Sequence, residues 1–471
     1  MSQKLSRRSF VAATTAAALV VSKKSAAKLN PPYPIGNEPL TREDYALLKR
    51  KTAEVYKRNE VTIAAGTFHV PAHGKYDSLF SWDSGWQAIA MTRFDPALAA
   101  SEMNALFSLQ LDNGRISHDT HFPELQKKAN TWSKLGTSLG KSQFDDKGRS
   151  AMVDPPAFII ACEKIYAQTR DRAWLDAILP KLEHCLHYLT HDRDLFGDGL
   201  VAVIHPWETG TDSSPAYDEI VHLDFRTPIG APTRGLLYPR MLDYNAKFGW
   251  DPQEAKKHNH FVLEDLTFNS ITMRALQAVA SLHDSIGNQE RAEQLRAQAR
   301  SMMAAIDRIN WVEAQGCYYS RYDVKNPTLA MRTTCASLLP LLTGLVSKDR
   351  AERVIREYAL NQNRFWLDYV FTFNPKDEME HDKVYMEDLL LWRGHCIWTN
   401  MNWMMVEALL NYGYQEEARE LTRRTARMIL HEGLWEFYDF RNGQGKGQPN
   451  FNWPGLALDM INRTWPEAVG K

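Results

Sequence analysis

Cysteine is scarce in this sequence: Cys162, Cys185, Cys317, Cys335 and Cys396 are the whole set in 471 residues. They form no C-x-x-C and no His-paired spacing, and an odd, dispersed set builds neither a disulfide framework nor a zinc ribbon. Burial as small hydrophobes is the expectation. Excess charge of either sign is also missing. A formal net charge of -1 leaves no electrostatic footprint for nucleic acid or for an anionic membrane surface. No stretch approaches the ~18 consecutive apolar residues of a membrane span. A Gly-Pro-Ser-rich linker and the fixed-period repeat of an ordinary solenoid are absent too.

The first residues read as an address rather than as fold. Ser6-Arg7-Arg8-Ser9-Phe10-Val11 precedes a mildly apolar, Ala-rich run to Val21, and Ser25-Ala26-Ala27 offers small residues for cleavage. This resembles a bacterial twin-arginine export signal over residues 1-27, which implies a periplasmic or secreted protein of residues 28-471, read as a single domain. Passengers of that route fold before export in a reducing compartment, consistent with unpaired cysteines.

Helical periodicity dominates the rest. Amphipathic patterns run from Leu40 to Asn59, Pro96 to Leu111, Pro156 to Thr169, Arg172 to His191, Glu264 to Ser285, then on to Ile309. Further helices are expected at Leu329–Leu345, Lys348–Leu360, Trp398–Tyr412 and Glu416–Leu430, and one starting near Trp86. Strand signals are few: an entry strand at Thr62–Pro71, a turn at Asp198-Gly199 and a hairpin around Gly316-Cys317-Tyr318-Tyr319. Residues 225–248 carry no assignable pattern. The fold class expected is all-α, a helical array closing on itself with long loops gathered at one end.

Those loops carry the chemistry. His205-Pro206-Trp207-Glu208-Thr209-Gly210-Thr211-Asp212-Ser213-Ser214-Pro215-Ala216-Tyr217-Asp218 has neither period 2 nor period 3.6, yet holds three carboxylates among aromatic rings. Loops of that length in a compact domain are usually functional. A second carboxylate cluster, Glu432-Gly433-Leu434-Trp435-Glu436-Phe437-Tyr438-Asp439, precedes a Gly-rich turn. The chain has 14 tryptophans and 18 tyrosines, many beside Gly, Asp or Asn. Such rings suit stacking on sugar faces, although large core residues with a polar handle look the same in sequence. Two carboxyl groups with opposite tasks, one protonated and one ionised, are what glycoside hydrolysis requires, and neighbours such as Trp207 and Trp435 would desolvate a carboxyl and raise its pKa. His118 and His121, three apart, lack a third ligand at metal spacing.

Four ordered motifs, Trp82-Asp83-Ser84-Gly85, Glu208-Thr209-Gly210-Thr211-Asp212-Ser213-Ser214-Pro215, Trp392-Arg393-Gly394 with Trp398-Thr399-Asn400-Met401-Asn402-Trp403, and Trp435-Glu436-Phe437-Tyr438-Asp439, resemble glycoside hydrolase family 63. The likeness is to its compact bacterial members, those similar to mannosylglycerate and glucosylglycerate hydrolases. The resemblance implies an (α/α)6 barrel and an inverting exo-α-glycosidase with no metal or other cofactor. By motif it implies Asp212 as general acid and Glu436 as general base, with Glu432 as the rival base. An inverting pair stands roughly 6.5–9.5 Å apart. Trp82, Asp83, Trp86, Gln87, Trp207, Glu208, Gly210, Arg393, Gly394, Trp398, Asn402, Trp435, Tyr438 and Trp453 are the substrate-binding candidates it suggests. Capping or core packing is the alternative for Asp83, Asn400 and Trp403, and positioning of the acid loop for Glu208 and Asp218.

The partner expected is a carbohydrate, an α-linked glucoside or mannoside as a small glycoside or an oligosaccharide. Export sits poorly with recycling an intracellular solute, and no polar set for a glyceryl carboxylate is identifiable residue by residue. A trehalase or debranching-type α-glucosidase on the same barrel is the alternative enzyme. A non-catalytic carbohydrate-binding toroid would need the aromatics but not both carboxylates. An α-toroid cyclase would need an Asp-rich magnesium motif or a zinc set, and the sequence has neither. Oligomeric state is not legible.

Overall fold

A computed structural model describes residues 30–470 apart from 65, 127–140, 225, 226, 228 and 380–390. The twin-arginine segment lies outside the described residues. The chain is mainly helical. Helix α1 (Arg42–Asn59) opens on a capping box in which Thr41 and Asp44 satisfy each other's backbone donors. A hairpin of β1 (Glu60–Ile63) and β2 (Gly66–His69) leads into α2 (Ser81–Met91). Then follow α3 (Pro96–Ser108), α4 (Ala157–Thr169), α5 (Arg172–His187), α6 (Gly230–Ala246), α7 (Leu266–Ser285) and α8 (Gln289–Ile309). After a nine-residue 3-10 segment Cys335–Thr343 and the helical turns 348–359 come α9 (Thr399–Asn411) and α10 (Gln415–Glu432). Strands β3 (Trp435–Asp439) and β4 (Gly445–Pro449) precede the last helical stretch, Trp453–Leu456 continuing into α11 (Ala457–Thr464).

Two kinds of helix alternate. In α2, α7, α9 and Cys335–Thr343 almost every residue is buried, with small side chains among the large ones. In α1, α5, α8 and α10 only one stripe is buried and the rest is charged. The buried kind forms an inner ring: α2 packs on α4, α4 on α7, α7 on Cys335–Thr343, that segment on α9, α9 on Trp453–Leu456, and this last on α2. The amphipathic kind lies outside it. Short two-stranded and three-stranded sheets lie between the helices in the chain.

Local departures from the sequence expectations have physical reasons. Helix α2 starts at Ser81, five residues before Trp86, so Trp82 and Asp83 stand on its first turn. Phe80 is the cap, and Asp83 makes no capping hydrogen bond. No hairpin forms at Asp198-Gly199, because Asp194 gathers the backbone N–H groups of Gly197, Asp198 and Gly199 instead. Residues 230–246, patternless in sequence, are helix α6, which Pro239 crosses without ending it. The helix expected from Leu329 begins only at Cys335 and is 3-10 wound, after a strand at Thr328–Leu329. All five cysteines are buried and free.

Candidate active site

One small pocket at the loop end of the helical ring is walled by Tyr76, Phe80, Trp82, Trp392, Trp398, Phe451 and Trp453, with Asp83, His118, Asp154, Asp212 and Glu436 facing in. Pro71, Gly210 and Leu391 complete its wall. Three aromatic residues from two segments are stacked: Trp392 lies flat on Trp398 with ring centres 3.9 Å apart, and Trp398 stacks on Phe437 at 4.8 Å. A pocket with apolar walls and a few convergent acids is shaped for a ring with hydroxyl edges.

The loop that carries Asp212, residues 205–218, called the acid loop for that carboxyl, is fixed from behind. Glu208 is fully buried and forms a bidentate pair with Arg193, at 2.6 and 2.9 Å, while accepting the N–H groups of Ile204 and Val153. Thr211 and Asp265 both bond the Tyr217 hydroxyl, at 2.7 and 3.0 Å. Asp218 binds Arg393 through two hydrogen bonds, tying the loop to the segment that carries Trp392. Gly210 needs its positive φ of 70°, and a Cβ there would sit 2.9 Å from the Trp82 ring. The chain therefore turns tightly against that indole and delivers Asp212 to the pocket.

Asp212 is half-buried. Burial raises its pKa, His118 and Arg234 pull it back, and the carboxyl is pushed up to about 6. Facing it, His118 donates to Asp154 at 2.7 Å. Burial opposes the charge on that imidazole, but the Asp154 carboxylate outweighs it and the pKa is pushed up to about 10. Ser81 and the Trp82 N–H also donate to Asp154. Asp83 is raised well above the usual carboxylate range by burial and by the charges of Asp154 and Glu436. Its Oδ1 is buried and has no hydrogen-bond partner among the described residues, which leaves it open to a ligand hydroxyl.

Glu436 is set on a β-bulge. Strand β3 pairs with Cys396–Ile397 on one side and β4 on the other, and the register with β4 slips between Trp435 and Phe437. The slip turns the Gln448 N–H onto Glu436 Oε2 at 2.9 Å. Gly447, at φ 72°, is required: a Cβ there would meet Oε2 at 2.4 Å. Tyr76 donates to Oε1 at 2.5 Å and Lys75 lies 3.4 Å from Oε2. Trp453 donates its indole N–H to the Glu436 carbonyl at 2.8 Å.

Of the residues named from sequence, Trp82, Asp83, Gly210, Asp212, Trp398, Glu436 and Trp453 line this pocket. The others stand elsewhere. Glu208 is consumed by Arg193, and Trp207 packs edge-on against His205 and Tyr238. Trp86 is buried behind Trp82, and Gln87 bridges His69, Glu102 and Asn452. Asn402 holds the backbone of Val370 and Phe371. Arg393 is engaged by Asp218, and the Gly394 carbonyl accepts from Asn374. Trp435 bonds the Glu432 carbonyl and Tyr438 the Gly433 carbonyl, so both brace the β3–β4 hairpin. Glu432, the rival base, sits at the end of α10 bonded to His431 and the Gly445 N–H, away from the pocket.

Sequence reasoning missed Tyr76, Phe80, His118, Asp154, Trp392 and Phe451 as pocket residues. Tyr76 and Trp392 flank motifs that carried the signal, whereas Asp154 lies between Val153 and Pro155 with nothing local to mark it. No three His, Cys, Asp or Glu side chains among the described residues are grouped as metal ligands.

Residues 76–454 match the family described as the mannosylglycerate hydrolase MGH1-like glycoside hydrolase domain. The chain belongs to this family. It is a glycoside hydrolase, and every pocket acid just described falls within the matched span. Mannosylglycerate hydrolase of Thermus thermophilus is 28% identical over 435 residues, covering 87% of this chain and 99% of that one. Mannosylglycerate hydrolase MGH2 of Selaginella moellendorffii is 27% identical over 434 residues, 87% of this chain and 85% of that one. The crystal structure of the Thermus thermophilus family 63 hydrolase with Tris and D-glycerate superposes with a TM-score of 0.75 at 25% identity, covering 88% of this chain and 100% of that one.

Proposed function

We propose that this hydrolase is an exported, inverting exo-α-glycosidase on an (α/α)6 toroid, with Asp212 as general acid and Glu436 as general base. The observation that carries the reading is that these two carboxyls, carried by separate segments of the chain, line one small pocket. Asp212, raised to about 6, keeps a proton to give to the leaving oxygen. Glu436 accepts from Tyr76, Lys75 and the Gln448 N–H, donors that suit a carboxylate acting as base. In an inverting reaction Glu436 takes a proton from water as that water attacks the anomeric carbon, and Asp212 protonates the departing aglycone. Trp82, Trp392, Trp398 and Trp453 form the wall of the sugar subsite, and Asp83 bonds a sugar hydroxyl. No metal is invoked.

The aglycone leaves on the side of the acid, and there stands Arg234. Its guanidinium lies over the Tyr238 ring at 5.4 Å and bonds the Ser213 hydroxyl, next to Asp212. Its Nε is buried with no hydrogen-bond partner among the described residues, and its charge acts on the neighbouring Asp212. A cation so placed favours an anionic leaving group, a hydroxy acid linked to α-mannose or α-glucose. The Thermus relative's complex with D-glycerate supports that reading. This reading favours such a glycoside over a neutral disaccharide, where the sequence alone offered no polar set for a glyceryl carboxylate that could be identified residue by residue.

The test is a panel of α-mannosides and α-glucosides with neutral and carboxylate aglycones, assayed with the parent chain, Asp212→Asn, Glu436→Gln and Arg234→Met. The two carboxylate variants are expected to lose at least about 10²–10⁴-fold in turnover. Arg234→Met is expected to raise KM for carboxylate aglycones and leave neutral ones nearly unchanged. Near-parental turnover in either carboxylate variant overturns its assignment, and an equal effect of Arg234→Met on both aglycone classes overturns the anionic one.

A further inference from the structure

Both oxygens of Glu436 are spoken for before any substrate arrives. Oε1 receives the Tyr76 hydroxyl at 2.5 Å, and Oε2 receives the Gln448 N–H at 2.9 Å with Lys75 at 3.4 Å. The Gln448 donor is part of the base's own hairpin, but Tyr76 and Lys75 come from the loop between β2 and α2. That loop is itself tied down: Asp77 accepts from His73 at 3.1 Å and from the Gly74 N–H at 3.0 Å. The Tyr76 ring stands edge-on to Phe80 and Phe451, which fixes where its hydroxyl points.

The electrostatic setting makes these donors necessary. Asp83 on α2 and Asp212 on the acid loop both face the Glu436 side of the pocket, where His118 and Asp154 form a pair of opposite charge. Burial disfavours a negative charge on Glu436, and so does either neighbouring carboxyl whenever it ionises. Lys75 and Tyr76 are what loop 71–78 supplies against them.

We propose that Tyr76 is a positioning residue for Glu436, its hydroxyl orienting the carboxylate toward the attacking water and holding it ionised, with Lys75 adding the opposing charge. This rests on the reading of Glu436 as general base. Burial, followed by the charge of Glu436, pushes the Tyr76 phenol well above its ordinary value, so it remains a donor throughout the working range. Oε2 has two donors, whereas Oε1 keeps one lone pair beyond that used by Tyr76, and with the carboxylate locked that lone pair has one direction.

Tyr76→Phe keeps the ring and its edge contacts and removes only the donor. The pH dependence of kcat and kcat/KM separates positioning from substrate contact. The acidic limb, which reports ionisation of the base, is expected to move to higher pH in Tyr76→Phe, with kcat down about tenfold or more and KM little changed. Lys75→Met is expected to move the same limb by less, and it serves as the readout if Tyr76→Phe does not fold. An unmoved acidic limb in both variants, or a rise in KM alone, overturns the inference. Glu436→Gln keeps the two readings apart. If it is inactive while the limb stays put, only the role of Tyr76 fails; if it is active, the assignment of the base fails with it.

Discussion

Asp212 and His118 share a pocket wall, and their charges work against each other. As the proposed general acid, Asp212 must hold its proton, so activity should fall as pH rises through its pKa of about 6 in the free enzyme. The imidazolium, held charged by Asp154, stabilises the ionised form of Asp212 and therefore lowers that pKa. Removing it should move the basic limb upward. His118→Asn is expected to shift the basic limb of kcat/KM to higher pH and to leave the acidic limb in place; a downward shift would show that His118 does not act on the acid through its charge. At this scale the sequence was most informative where chemistry and local pattern coincide. Asp212 and Glu436 were legible because each sits in a motif of aromatics and turn residues. Asp154 was not, because it reaches the pocket through the start of α4, more than fifty residues from the acid it faces. Gln87 and Asn402 look like sugar ligands in sequence, yet their amides are spent on buried backbone and side-chain groups.

At the scale of elements, the acid loop and the base hairpin are held in different ways. The loop has little regular structure and depends on the Arg193–Glu208 pair, both members fully buried. Removing one partner of a buried ion pair leaves the other charged and unpaired, at about 3–5 kcal/mol. Arg193→Met is expected to lower unfolding free energy by about that amount in urea titration and to lower turnover as well, since the loop carries Asp212. A loss below about 1 kcal/mol would place the pair among weak surface contacts instead. The base hairpin is set by backbone geometry, through its bulge, and by Gly447. Helix periodicity gave away most helices, whereas these two elements were visible only as interruptions of it. The start of α2 was misjudged because Ser81-Trp82-Asp83-Ser84 carries turn-forming residues that packing overrides in favour of helix. Helix α6 escaped notice for a related reason: two glycines and two prolines obscure its pattern.

For the whole molecule, the alternation of fully buried and half-buried helices follows from sequence composition. Helices rich in Ala, Met and Leu with few charges lie in the inner ring, and those with Glu, Arg and Lys on three sides lie outside. Which inner helix neighbours which was not legible, because that order depends on long-range packing rather than on any local signal. The ring gathers its connecting loops at one end, and the pocket forms where the acid loop, the start of α2 and the β3–β4 hairpin converge. Asp212 and Glu436 both line this pocket, and under the proposed function a sugar sits between them, attacked by water from the face opposite the leaving group. The most direct test is proton NMR of an α-mannoside or α-glucoside of a hydroxy acid during the first turnovers, following the anomeric signal of the released sugar. The account predicts that the β-anomer appears first and equilibrates afterwards. Initial release of the α-anomer would mean retention of configuration, a covalent intermediate and a different role for Glu436.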